Sequence, residues 1–116
     1  MPIVIIATVL TCLYQFDLYP PEIMEEAIAQ VVSYMKHVHI RDCKGPGPNP
    51  GAPADQACGR GEINLYGYFK ALVDAKYEGP VCLEVIGPEQ TLQQAQAIAS
   101  ESYGYMNAIL KMLGAR

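Results

Sequence analysis

The sequence predicts an α/β fold in which strands and helices alternate in the order β-α-β-α-β-α. Short runs rich in aliphatic and β-branched residues recur at residues 3–12, 36–42 and 81–86. After each of them, apolar residues return at helical spacing. Proline, asparagine and glycine stand at the junctions, where helices start and stop. Such an alternation implies a parallel sheet with right-handed crossovers. No internal domain boundary is visible, so residues 1–116 are expected to form a single domain.

The run from Met1 to Cys12 is almost continuously apolar, as a strand buried on both faces would be. A secretory signal would carry Lys or Arg before such a run and a small-residue cleavage site after it, and neither is present. The run continues through Tyr14-Gln15-Phe16-Asp17 and stops at Pro20-Pro21. Proline followed by Glu22, Glu25 and Glu26 is a helix start, because acidic side chains favour the positive end of the helix dipole. Met24, Ile28, Val31, Val32 and Met35 form its apolar stripe.

Lys36 to Asp42 is too short and too β-branched for another helix, and reads as the second strand. Cys43 to Glu62 holds five glycines and four prolines and is expected to be a long exposed loop. Asn64 can cap the second helix, with the stripe Leu65, Phe69, Leu72 and Val73. Tyr77-Glu78-Gly79-Pro80 is a turn, and Val81 to Ile86 the third strand. Gly87-Pro88 opens the third helix, whose stripe is Leu92, Ala95, Ala99, Tyr103, Met106, Leu110 and Leu113, with Gly114 as its stop.

Composition excludes several classes of function. The formal net charge is -4 and no Lys/Arg cluster is present, which argues against nucleic acid as a partner. No run reaches the roughly 18 apolar residues of a membrane span. The four cysteines, Cys12, Cys43, Cys58 and Cys82, contain no Cys-x-x-Cys pair, so reduced thiols in a cytoplasmic protein are expected.

Strand parity then selects candidate functional residues, because alternate side chains point to opposite faces. Val38 and Ile40 share one face of the second strand, and His37, His39 and Arg41 share the other. In the third strand Val81, Leu83 and Val85 oppose Cys82, Glu84 and Ile86. With the aliphatic faces under the helices, His39 and Glu84 project together near the carboxyl ends of neighbouring strands, where α/β proteins bind ligands. Asp17 stands at the carboxyl end of the first strand. One imidazole and two carboxylates suit a divalent cation, Mn²⁺, Mg²⁺, Co²⁺ or Zn²⁺. Such an ion polarises a substrate carbonyl while a carboxylate moves a proton at the neighbouring carbon. Each residue also has a plainer role open to it: His39 as a hydrogen-bonded rim histidine, Asp17 as a turn initiator, His37 as a core residue one layer deeper. Glu84 is the hardest to assign so, since a carboxylate in mid-strand is costly to bury unpaired.

The run Lys36-His37-Val38-His39-Ile40-Arg41-Asp42, the Gly59-Arg60-Gly61-Glu62-Ile63 bend and Tyr77-Glu78-Gly79-Pro80-Val81-Cys82-Leu83-Glu84 together resemble the end of xylose-isomerase-like TIM barrels, over residues 14–113. The resemblance implies a partial TIM barrel, the last three β-α units of a (β/α)8 barrel, from a sugar (phosphate) isomerase or epimerase of carbohydrate metabolism. It implies that His39 is the metal-binding histidine of the seventh strand. Glu84 is then the eighth-strand carboxylate that binds metal and acts as acid/base, and Asp17 the sixth-strand aspartate ligand. Arg41 and Lys44 then meet oxygens of a small sugar or polyol substrate, with His37 behind the ligands.

The departures from that pattern bear on activity. The family's fourth ligand, a glutamate of the fifth strand and the other proton-transferring group, has no counterpart in this sequence, and Pro20 replaces the histidine three positions after the aspartate. A fragment inactive by itself is therefore expected, either a truncated gene product or a chain that completes a barrel with another polypeptide or a second copy through exposed strand edges. A non-catalytic remnant is the alternative. DNA-repair enzymes of the same superfamily add an Asp-x-His pair after the seventh strand, whereas the Cys43–Gly61 stretch contains no histidine.

Overall fold

A computed structural model of the chain describes residues 21–44 and 49–116, with no side chain described for 21–25. The expected first strand, Cys12, Asp17 and the side chain of Met24 lie outside the described residues. The described chain is mixed α/β, with three α-helices and a two-stranded parallel sheet: α1 (Pro21–Val31), β1 (Val38–Ile40), α2 (Leu65–Asp74), β2 (Val81–Leu83) and α3 (Leu92–Met112). The strands pair in parallel, Val38 opposite Val81, His39 opposite Cys82 and Ile40 opposite Leu83.

One apolar cluster organises these elements. Ile28 of α1, Val38 and Ile40 of β1, and Leu65, Tyr68, Phe69 and Leu72 of α2 are buried together, with Val81 and Leu83 of β2 packed against them. Asn64 caps α2 as its sequence position predicts, its side-chain oxygen accepting from the Gly67 N–H at 3.0 Å. Helix α3 ends in Leu113-Gly114, with Gly114 at φ +68°, the Gly114 N–H bonded to the Lys111 carbonyl and the Ala115 N–H to the Leu110 carbonyl. That paired closure satisfies carbonyls the helix end would otherwise leave open.

Four expectations need correction. The strands are shorter than their sequence runs, because Asp42 and Ile86 turn to side-chain and loop partners instead of a strand neighbour. Helix α3 begins at Leu92, not at Gly87-Pro88, since Thr91 and Gln94 form a reciprocal capping box there. Its stripe is also rotated. Ile98, Ser102 and Ile109 are buried, whereas Leu92 is 74% and Tyr103 55% exposed. Met106, Leu110 and Leu113 do pack on the core, but the N-terminal half of α3 faces the 43–62 loop rather than the sheet.

That loop is the fourth correction, because its described part, residues 49–62, is folded and partly buried. It carries a 3-10 turn at Pro53–Gln56, and Gln56, Ala57 and Cys58 are almost wholly inaccessible. Asp42, itself 1% exposed, gathers it: one carboxylate oxygen accepts from the Cys43 and Ile63 N–H groups and the other from the Gly59 N–H. The Cys58 N–H donates to Ser102 Oγ at 3.0 Å, docking the loop on α3. Gly59 has φ +97° and lies against the Tyr105 ring, so a side chain there would meet both strain and collision.

Candidate site on the open face of the sheet

Alternation along two paired strands separates the sheet into a packed face and an open one. Val38 and Ile40 are 0% and 1% exposed, while His39 between them keeps 30% of its side chain accessible. On β2, Val81 and Leu83 turn to the core, and Cys82 is exposed. Because the strands are parallel and in register, residues one step apart along this face become diagonal neighbours.

The result is a contiguous row of polar groups. His39 Nδ1 lies 3.6 Å from Glu84 Oε1, and Arg41 Nη1 lies 3.9 Å from Glu84 Oε2. Both separations are longer than direct hydrogen bonds, and the Arg41–Glu84 one is an ion-pair distance. The His37 and His39 rings meet edge to face with centroids 4.8 Å apart. His37 Nε2 in turn lies 2.9 Å from Cys82 Sγ. The row thus runs Cys82, His37, His39, Glu84, Arg41.

Placement differs from expectation in three respects. Glu84 does not sit buried in mid-strand: it follows the last residue of β2, its N–H donating to the Ile40 carbonyl at 2.9 Å, and its side chain is 39% exposed. The desolvation argument for it is therefore replaced by a positional one, at the carboxyl end of a parallel strand. Arg41 is 8% exposed and turned toward Glu84, whereas Lys44 is exposed on the loop and stands apart from the row. His37 lies beside His39 as expected, and its thiol neighbour Cys82 was not anticipated. Cys82 is on the same face by parity, so that signal was present in the sequence.

Two further residues escaped sequence reasoning, Asp42 and Gln56. Both act through hydrogen bonds to distant backbone, which spacing does not reveal. Away from the open face, burial pushes the Cys58 thiol up from 9.0 to about 11, against the opposing hydrogen bond from Ser102. Burial likewise raises Tyr68.

Among the described residues, no three His, Cys, Asp or Glu side chains are grouped so as to hold a metal ion. His39 and Glu84 supply two donors of suitable type from adjacent strands, and Asp17 is outside the described residues. No helix among the described residues is long and apolar enough to cross a membrane. Comparison with protein-family models, with curated proteins and with solved structures finds no match for this chain.

Proposed function

We propose that the chain is the C-terminal part of a xylose-isomerase-like (β/α)8 barrel, from a divalent-metal-dependent isomerase or epimerase of small sugars, sugar phosphates or polyols. The observation that carries this reading is the 3.6 Å approach of His39 Nδ1 to Glu84 Oε1, from neighbouring parallel strands at their carboxyl ends. His39 and Glu84, with Asp17, would hold Mn²⁺, Mg²⁺, Co²⁺ or Zn²⁺, and such an ion when bound polarises a carbonyl. Glu84, half-exposed beside that position, takes up and returns the proton of the adjacent carbon. Arg41 steadies the Glu84 carboxylate from its other oxygen.

Two-base epimerisation needs a second carboxylate opposite Glu84, which the fifth strand of such a barrel supplies. Turnover therefore requires the first five strand–helix units of such a barrel together with residues 1–116, whereas metal binding is expected of residues 1–116 by themselves. A second reading, a non-catalytic subunit that completes a barrel, is favoured by the accessible open face, where His39, Cys82 and Glu84 all remain partly or largely exposed.

Calorimetric titration with Mn²⁺ and Co²⁺ tests the proposal. Saturable binding is expected for the wild-type chain, and His39→Ala or Glu84→Ala should abolish or greatly weaken it. Binding that persists unchanged in both variants, or no binding at all, overturns the metal reading.

A further inference from the structure

The strands stop short, yet Glu84 is held in place beyond them. Its N–H makes the last ladder bond, to the Ile40 carbonyl. Two residues later Ile86 is held by a side chain. Gln56 Nε2 donates to the Ile86 carbonyl at 2.6 Å, and Gln56 Oε1 accepts from the Ile86 N–H at 2.9 Å. The same Nε2 reaches the Gly51 carbonyl at 3.3 Å, and the backbone carbonyl of Gln56 accepts from the Asp42 N–H at 2.9 Å. One residue therefore ties the exit of β1 to the exit of β2.

From this geometry we infer that Gln56 is a positioning residue for the candidate site, standing in for the next rung of the parallel ladder and aiming Glu84 at His39. The inference rests on the reading of His39 and Glu84 as a metal site. Glu84 lies between two fixed points, the Ile40 bond and the Gln56 clasp, so its Cα–Cβ direction is set from both sides. His39 sits on β1 and Arg41 directly after it, and the same residue holds the exit of that strand through Asp42.

A carboxamide is suited to this role because it offers an acceptor and a donor together, as a peptide group does. Glutamate is nearly isosteric but has no donor when ionised, and would face the Ile86 and Gly51 carbonyls with a charge. Gln56 is 0% exposed, and a buried carboxamide is costly unless its bonds are made.

The test is Mn²⁺ calorimetry on the wild-type chain, Gln56→Glu, Gln56→Ala and Ser102→Ala, with thermal melts of each. Loss of an outer positioning contact is expected to weaken metal binding about 10- to 100-fold in both Gln56 variants. Ser102→Ala removes the hydroxyl that docks the same loop on α3 without touching either strand exit, and should retain wild-type affinity. Gln56 variants that bind like wild type, or an equal loss in Ser102→Ala, would overturn the positioning role. A wild-type chain that binds no Mn²⁺ removes the metal reading itself, which is a separate result. Should the Gln56 variants not fold, amide exchange on the wild-type chain decides. The Ile86 N–H is expected to exchange as slowly as ladder amides and more slowly still with Zn²⁺. In a wild-type chain that binds the metal, Ile86 exchange unaffected by Zn²⁺ overturns the inference.

Discussion

The two faces of one small sheet are built from alternate residues of the same strands, yet they obey different rules. Beneath it, Val38, Ile40, Val81 and Leu83 meet Phe69, Leu72 and Ile28 in a close-packed cluster. Above it, His37, His39, Arg41, Cys82 and Glu84 are held by ring contacts and ion-pair separations. Packing supplies stability on one side, since apolar burial is large and cooperative. On the other side, His39 and Glu84 are partly exposed, contribute little to folding and remain available for a ligand, while Arg41 is buried behind them. A one-residue shift in register would exchange the two.

The sharpest way to break this contrast is to truncate the packed face. Phe69→Ala removes a side chain that is 2% exposed and should cost about 3–5 kcal/mol by chemical denaturation. A loss below about 1 kcal/mol would mean that α2 does not carry the core.

A smaller effect is expected from pH, again on the packed side. Cys58 has its folded value raised to about 11, above the ordinary 9.0, so the folded state holds its proton more tightly than the unfolded state. Its contribution is complete below pH 9 and is lost as pH rises from about 9 to about 11, amounting to about 3 kcal/mol. Tyr68, raised by burial, acts in the same direction at higher pH. Melting curves across that window should fall less steeply for Cys58→Ala than for wild type.

The smallest effect belongs to the open face. Without metal, His39→Ala should change stability by no more than about 0.5 kcal/mol. A loss comparable to that of Phe69→Ala would mark His39 as a structural residue and remove the distinction between the faces.

Parity explains how much of this was legible. Val38, His39 and Ile40 announce their faces by alternation alone, and the pairing of His39 with Glu84 follows once the strands lie side by side. The Asn64 cap and the Gly114 stop are equally local. What the sequence hid depends on contacts between distant residues. The stripe of α3 was misplaced because Ser102 turns inward to accept from the Cys58 N–H, a partner 44 positions away. The loop reads as exposed in the sequence because Asp42 and Gln56 act on backbone groups 17 to 30 positions distant. Glu84 looked like a mid-strand residue because the apolar run extends beyond the ladder that pairs it. The family resemblance draws on residues 14–113, and its Asp17 element lies outside the described residues.

The carboxylate of Asp42 has a consequence in chain statistics. It closes one ring to Gly59 across 17 positions and a second to Ile63 across 21. For a flexible chain the larger closure costs only about 0.2 kcal/mol more than the smaller. Once the first is made, most of that cost is already met. One side chain thereby holds both Gly59 and Ile63 beside the exit of β1.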